Sequence, residues 1–337
     1  MVTRHVLTRL RSASRPTPLV AWPASRPASS FRLHSINVRV VAGITALNEE
    51  RTIGPLLEAL LAARPAGGPI ERIVVVSSAC RDRTDEIVRA FAARDPRVSL
   101  IAEPERRGKA AAINTILAAR PAGTDVTLIA SADVLPFPGA TEAIVAALAD
   151  PAVGMSGGQP VPQNEGRSLT DRMARLMWHL HDRMARRSPK LGELVAFRSS
   201  LVAAIDAESP VDESSLEAAV REKGARLVYV PDARIANRGP STLGEWMSQR
   251  RRIAFGHYWL KQRTGYSVST GAGVRVLPVW LAAVAPRPER WIPGIALVVT
   301  EVVARWQARR DLKRGSTDHA VWTIAESTKA GTGAPNP

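Results

Sequence analysis

The stretch VTLIASAD, residues 126–133, decides the fold predicted for this chain. Its apolar run is too short for a helix, and Pro136 and Pro138 prevent a helix from continuing beyond it. The stretch therefore predicts a short, buried β-strand that ends in one carboxylate, Asp133. Ligands bind at the carboxyl ends of strands in open α/β sheets. Asp133 is accordingly either an oxygen ligand for a divalent cation or a residue that forms the turn.

Strands and helices alternate around this stretch across residues 38–150. Strands are predicted at residues 38–46, 70–76 and 98–102. Helices are predicted between and after them, at residues 52–63, 85–93 and 109–119. The strands are nearly continuous apolar runs, which is typical of parallel strands covered on both faces. This alternation predicts an α/β fold with a wound sheet.

The second half of the chain carries amphipathic and apolar helices. A helix predicted over residues 169–185 has one apolar side and many arginines, so it either packs on the core or lies in a membrane interface. Two apolar segments, residues 274–285 and 292–304, are both shorter than the roughly 18 to 20 residues that span a membrane. We expect a helical hairpin on one leaflet, with two helices packed on the domain as the alternative.

Composition limits the covalent cross-links, the metal sites and the partners of the chain. The 337 residues carry a formal net charge of +15, which fits nucleic acid, an anionic membrane surface or phosphate-rich substrates. The single cysteine, Cys80, excludes an internal disulfide and a metal site built from several cysteines. Residues 1–36 contain arginines, serines and prolines but no acidic residue, and this predicts a disordered basic tail.

Motifs after the first two predicted strands resemble those of the family 2 glycosyltransferases of the GT-A fold. Asn48, Glu49 and Glu50 are similar to the Asn-Glu-Glu that holds the nucleotide base and ribose in that family. Residues 77–84 occupy the place of an acidic motif, in which Asp82 matches and Ser78 replaces the acid that contacts the base. The resemblance implies that Asn48, Glu49, Ser78 and Asp82 bind the donor.

Two further motifs imply a diphosphate and metal site. Residues 107–114 resemble the Gly-Lys-x-x-Ala-x-Asn motif, where Lys109 at a helix start adds a positive charge for phosphate. Taken alone, the motif predicts only a helix N-terminus with a solvated lysine. Ser131 and Asp133 stand where the family has Asp-x-Asp, which binds Mg²⁺ or Mn²⁺. The resemblance thus implies Asp133 as the metal ligand, with weaker metal affinity because one acid is lost.

The catalytic base is implied by Asp212 and Glu213, which resemble the family's Glu-Asp-x-x-Leu in swapped order. The aligned base is Glu213, with Asp212 as the second candidate, because an ionised carboxylate can take the proton of an acceptor hydroxyl. The alternative is that Asp212 only caps the following helix, predicted over residues 214–223. Gly192 and Glu193 resemble the acceptor-side loop.

A last motif, residues 249–253, resembles the Gln-x-x-Arg-Trp of processive and membrane-associated members, with isoleucine in place of tryptophan. It implies Gln249 and Arg252 as donor-binding residues, because a guanidinium pairs with a diphosphate and keeps its charge.

Together these motifs predict an inverting, metal-assisted glycosyltransferase that uses a nucleotide-diphospho-sugar and a hydroxyl acceptor, either a glycan or lipid-linked. The expected setting is polysaccharide biosynthesis at the cytoplasmic face of the cell membrane, with an anionic membrane surface but no nucleic acid as partner. The predicted segments are a tail (1–36), a GT-A domain (37–265), membrane-associating helices (266–312) and a second disordered tail (313–337).

Three alternatives stay open at this point. A nucleotidyltransferase would share the nucleotide-binding sheet, but it usually carries a glycine-rich signature near its N-terminus. A basic protein that binds membranes or nucleic acid would explain the charge. A catalytically inactive relative that only binds the nucleotide-sugar would explain the serines at Ser78 and Ser131.

Overall fold

One mixed sheet organises the chain. The computed structural model describes residues 38–269, 273–315 and 326–329; the predicted tail 1–36 and most of the predicted tail 313–337 lie outside these residues. The strands within them are β1 (Val40–Ala46), β2 (Arg72–Ser78), β3 (Val98–Glu103), β4 (Val126–Ser131), β5 (Leu135–Pro136), β6 (Val153–Pro162), β7 (Leu194–Arg198) and β8 (Arg226–Asn237). Their order across the sheet is β3-β2-β1-β4-β7-β6-β8-β5.

Helices separate the strands in the first half and form a layer of their own in the second. They are α1 (Ile53–Ala62), α2 (Thr84–Arg94), α3 (Lys109–Ala118), α4 (Ala140–Ala146), α5 (Leu169–Ala185), α6 (Asp212–Glu222), α7 (Leu243–Thr264), α8 (Gly273–Val284) and α9 (Trp291–Lys313). The wound α/β sheet predicted from the sequence is confirmed. The short elements β5 and α4 were not predicted, because two and seven residues carry little periodicity.

The first four strands are parallel, and β1, β2 and β4 are buried on both faces, whereas the edge strand β3 is only partly buried. All seven residues of β1 are buried, and the strand pairs in parallel with β2 and β4. One face of the sheet packs against α1, and α3 covers the other. The close approach of α3 requires Gly43, since a Cβ there would lie 2.3 Å from a methyl carbon of Ile116.

The sheet changes direction between β4 and β7, which are antiparallel. The end of β4 therefore lies beside the start of β7, with Ala130 opposite Leu194. The strand β8 runs parallel to β6 and continues to Asn237, so its end reaches the same side of the sheet. This change of direction brings the residues after β4, before β7 and at the end of β8 together.

The C-terminal helices pack on the domain. Leu176, Leu180 and Met184 of α5 are buried and form a cluster with α8, so α5 is a core-packing helix. Both α8 and α9 bury one side and expose large apolar side chains on the other. In the part of the chain that the structure describes, no helix is both long enough and apolar enough to cross a bilayer.

Candidate active site

A cavity of about 1110 Å³ opens where the strand ends converge. Its polar side is formed by the loops after β1, β2 and β4, the start of α3, the residues before β7 and the start of α6. Its apolar side is formed by α5, α8 and α9, through Met177, Leu180, Trp280, Leu297 and Val298 among others. The cavity therefore offers charged groups at one side and an apolar wall at the other.

Asp133 lines this cavity two residues after β4. The turn beyond the strand is closed by backbone groups, with the Val134 N–H donating to the Ser131 carbonyl at 3.4 Å. The Asp133 Oδ1 is buried and has no hydrogen-bond partner among the described residues. A buried carboxylate oxygen without a partner is costly unless a ligand completes it. This atom fits a divalent cation better than a purely turn-forming role.

Glu193 lies near Asp133, and the Asn237 side chain is hydrogen-bonded to Glu193. The Ser131 N–H donates to the Glu193 carbonyl at 3.3 Å, and both Glu193 and Asn237 line the cavity. Burial, followed by the negative charge of Asp133, raises the pKa of Glu193 to about 8. Asn237 is 5% exposed, and its Oδ1 lacks a hydrogen-bond partner among the residues described. These residues add oxygen atoms to the surroundings of Asp133.

The described residues contain no group of three or more His, Cys, Asp or Glu side chains that could hold a metal ion alone. A cation in this cavity would therefore be held by one or two protein carboxylates together with oxygens from a bound ligand. Mg²⁺ is usually bound in this way, by one or two carboxylates together with phosphates and waters.

A buried ion triad joins the start of α3 to the start of α6. The Lys109 Nζ lies 2.8 Å from the Asp212 Oδ2 and 2.5 Å from the Glu213 Oε1. The helix α6 begins at Asp212 itself, and Val211 occupies the cap position without a side-chain bond. The alternative that Asp212 only caps this helix is therefore wrong. Lys109 is not an ordinary solvated lysine either, because only 18% of its side chain is exposed.

The triad sets the ionisation of Glu213. Burial works against the charged form, but the adjacent Lys109 ammonium outweighs it and lowers the pKa of Glu213 to about 2. The same carboxylates raise the pKa of Lys109 despite its burial. Glu213 is thus an ionised carboxylate at neutral pH, as a base must be before it accepts a proton.

The arginines of α7 differ in their partners. Arg252 lines the cavity, and its Nη1 donates to the Pro210 carbonyl at 2.9 Å, just before α6. Arg250 lines the cavity too, but it pairs with Glu301 at 2.8 Å, and Arg251 pairs with Asp311 at 2.6 Å, so both hold α9 against α7. Gln249 also lines the cavity. The structure therefore brings Gln249 and Arg252 to the site.

The predicted base-binding residues separate into two pairs. Glu49 and Ser78 line the cavity, whereas Asn48 and Asp82 are not among its lining residues. The Asn48 Oδ1 accepts the Arg81 N–H at 2.8 Å, and the Asp82 Oδ2 accepts the Glu50 N–H at 3.0 Å. Those bonds join the loops after β1 and β2. The donor-binding role of Asn48 and Asp82 stays a prediction. Gly192 lines the cavity with open space around its Cα.

Several cavity residues were missed from the sequence. Asn237, Lys190, Trp178 and His181 all line the cavity. The one usable signal was the run ARIAN, residues 233–237, whose apolar residues indicate a strand that reaches Asn237. The other three lie on or after α5, and their position depends on how α5 packs.

Residues 42–209 match the profile of glycosyl transferase family 2. This part of the chain is a family 2 glycosyltransferase domain. The protein is accordingly an enzyme of the glycosyltransferase class, as the motifs predicted. A comparison with curated protein sequences found no match.

Two solved structures are similar to this chain. The mannosyltransferase PcManGT from Pyrobaculum calidifontis, in complex with GDP-Man and Mn²⁺, is 23% identical, with a TM-score of 0.56. The match covers 84% of this chain and 85% of that one, and it confirms the fold. Glucosyl-3-phosphoglycerate synthase from Mycobacterium tuberculosis, in complex with Mn²⁺, UDP and glucosyl-3-phosphoglycerate, is 19% identical over 68% of this chain and 81% of that one, with a TM-score of 0.49.

Proposed function

We propose that this glycosyltransferase moves a sugar, with inversion, from a nucleotide-diphospho-sugar to the hydroxyl of a glycan or a lipid-linked acceptor at the membrane surface, assisted by Mg²⁺ or Mn²⁺. The observation that carries this proposal is the convergence, in one cavity, of an unpartnered oxygen of Asp133 and the ion triad of Lys109, Asp212 and Glu213. The mannosyltransferase of the same fold was solved with GDP-Man and Mn²⁺.

The chemistry is a single displacement. The acceptor oxygen forms a bond to the anomeric carbon while the bond from that carbon to the diphosphate oxygen breaks, and the electron pair leaves with the nucleoside diphosphate. Glu213 takes the acceptor proton. Its low pKa makes it a weak base while Lys109 is close, so an incoming diphosphate, by attracting Lys109, strengthens the base.

The leaving diphosphate needs positive charge. Arg252 supplies a charge that does not titrate, and Lys109 supplies a second one at the start of α3, where unpaired N–H groups also point outward. Asp133 would hold the metal ion. When bound, the metal supplies Lewis-acid stabilisation of the diphosphate oxygens.

Calorimetric titration with UDP and with GDP, with and without Mn²⁺, tests the donor site. Wild type should bind one of the diphosphates in a Mn²⁺-dependent manner, and Asp133→Asn should lose that dependence. Asp232→Asn, an exposed carboxylate outside the cavity, is the matched control and should behave as wild type. If neither diphosphate binds under any condition, the proposed activity is refuted.

Transfer assays with the donor so identified test the base. Glu213→Gln should retain nucleotide binding and lose transfer by about 10²- to 10⁴-fold, the usual contribution of a general base. Transfer at the wild-type rate by this variant would rule out Glu213 as the base. Nucleotide binding by wild type without any transfer, across glycan and lipid-linked acceptors, would instead favour the inactive relative.

The outer side of α8 and α9 supports a location at the membrane. We call its exposed side chains the outer apolar face; they are Leu277, Leu281, Trp291, Ile292, Ile295, Val298, Val299, Val302, Val303 and Trp306. The α9 residues recur at helical spacing and form one stripe. Exposed Arg287, Arg309 and Arg310 flank the stripe and would face anionic lipid headgroups. Val298 and Val302 also line the cavity, so a lipid-linked acceptor could enter from this face.

Co-sedimentation with vesicles tests the location. Wild type should bind vesicles that contain anionic phospholipid more strongly than neutral vesicles, and Ile295→Glu combined with Val299→Glu should abolish binding. The matched control, Ala90→Glu on the exposed side of α2, should bind like wild type. Equal binding by the double variant and wild type would refute the role of the outer apolar face.

A further inference from the structure

The antiparallel pairing of β4 and β7 places a second carboxylate beside Asp133. Ser131, the last residue of β4, donates its N–H to the Glu193 carbonyl at 3.3 Å. Glu193 lies one residue before β7 and lines the same cavity as Asp133. The Ser131 hydroxyl carries no charge, whereas Glu193 brings a carboxylate to the same end of the paired strands β4 and β7.

The backbone at Glu193 is held in a costly conformation. Its φ is +65°, in the left-handed region that glutamate rarely adopts. Such strain persists only where surrounding structure imposes it, and it occurs mostly at functional sites. Here the Leu194 N–H donates to the Gly192 carbonyl at 2.8 Å, which closes a tight turn around Glu193. The turn keeps Glu193 on the cavity wall.

Asn237 supplies an independent observation. It is 5% exposed and lines the cavity, and its amide Oδ1 is buried without a hydrogen-bond partner in the part of the chain that the structure describes. The Asp133 Oδ1 has the same property. The Asn237 side chain is also hydrogen-bonded to the Glu193 carboxylate. The cavity wall thus holds two unpartnered buried oxygens, on Asp133 and Asn237, together with a second carboxylate.

The lysines of the cavity wall are committed elsewhere. Lys109 pairs with Asp212 and Glu213, at 2.8 and 2.5 Å. The Lys190 Nζ donates to the Leu191 carbonyl at 3.0 Å and lies 3.9 Å from Glu217. Neither ammonium is thus paired with the acceptors around Asp133. A hard divalent cation prefers carboxylate and amide oxygens, and these are the groups present.

We propose that Glu193 and Asn237 act with Asp133 as ligands of the divalent cation, so that Glu193 supplies the carboxylate that Ser131 cannot. The inference rests on the proposed donor site, because a nucleoside diphosphate would provide the remaining oxygens. It gives Glu193 a role in metal binding in place of the acceptor-side role predicted for it.

Binding of Mn²⁺, followed by electron paramagnetic resonance of the free ion with and without GDP or UDP, tests this inference without a transfer assay. Glu193→Gln should weaken Mn²⁺ binding by about 10- to 100-fold, a loss typical when a group supporting a metal site is removed. Adding Ser131→Asp to Glu193→Gln should restore most of the lost affinity, because the new carboxylate stands at the same end of the paired strands β4 and β7. Glu165→Gln, an exposed carboxylate outside the cavity, should bind Mn²⁺ like wild type.

The outcomes separate this inference from the proposed function. Wild-type Mn²⁺ affinity in Glu193→Gln, or no Mn²⁺ binding by wild type with either nucleotide, overturns the inference. If both nucleotides fail to bind while Mn²⁺ still binds and depends on Glu193, the inference stands and the proposed donor site fails. Thermal unfolding of each variant verifies that it is folded, and the rescue by Ser131→Asp distinguishes a ligand from a merely structural role.

Discussion

Replacing Lys109 by methionine tests the ion triad most directly. The substitution keeps the length of the side chain but leaves Asp212 and Glu213 without their cation. The Asp212 side chain is 4% exposed and that of Glu213 is 23% exposed. Water can therefore stabilise the unpaired charge of Glu213 in part, but that of Asp212 hardly at all. Breaking a buried ion pair on one side costs about 3–5 kcal/mol. Because Glu213 is partly hydrated, we expect a loss near the lower end, about 3 kcal/mol in the free energy of unfolding.

Urea unfolding at pH 7 measures this loss, and Lys223→Met, an exposed lysine at the end of α6, is the matched control. The double variant Lys109→Met with Glu213→Gln should be more stable than the sum of the two single losses predicts, by about 1–3 kcal/mol, since it removes the uncompensated charge. A loss below about 1 kcal/mol for Lys109→Met, or a coupling energy near zero, would refute the energetic importance of the triad.

The pH dependence of the same variant gives a second measurement. The pKa of Glu213 is about 2 in the folded protein and 4.5 in the reference state. A lowered carboxyl pKa means that the stabilisation is fully present above the unfolded pKa and is lost as the pH falls through the folded one. The difference in stability between wild type and Lys109→Met should therefore shrink as the pH falls from about 5 toward 2.

Three further predictions concern packing and ionisation around the site. Gly256→Ala should destabilise the protein by about 1–3 kcal/mol in urea unfolding, because the new Cβ would lie 2.4 Å from the Val211 Cγ1. Adding Val211→Ala should restore part of the lost stability. If it restores none, the steric cause is wrong. Arg250→Met should lower the stability by about 1.5–3 kcal/mol through the lost pair with Glu301, measured by thermal unfolding, with exposed Arg89→Met as the control. Burial, then the charge of Lys190, lowers the pKa of His181 from 6.5 to about 4. As the pH falls, His181 is therefore protonated at a higher pH in the unfolded chain than in the folded protein. Wild type should lose stability between about pH 6.5 and 4, by at most about 1.4 kcal/mol per pH unit. His181→Gln should show a weaker dependence over this range, and an unchanged slope would contradict the assignment.

Much of the fold followed from patterns that act over short distances. The apolar runs and the proline stops specify the strands up to Asp133, because side-chain periodicity and backbone restriction are local properties. The rule that ligands bind where strands end then predicts the site at Asp133 and Lys109. Both lie in the cavity. The motif at the start of α6 likewise placed Glu213 there, although the helix begins two residues earlier than predicted.

Other features depended on contacts between distant parts of the chain. The pairing of Lys109 with Glu213 joins residues 104 positions apart, and no local pattern shows whether a lysine is solvated or buried against carboxylates. The two interpretations of α5 share one amphipathic pattern, and only its packing against α8 decides between them.

The division of roles among neighbouring arginines is also a tertiary property. Arg250 and Arg252 have the same side chain. They are two positions apart, so they point in different directions around α7. Only the placement of α9, which offers Glu301 to Arg250, separates them. Local pattern thus decided which elements form and where their ends meet. Long-range packing decided which side chains face the cavity, because burial and ion pairing depend on every element that surrounds a group.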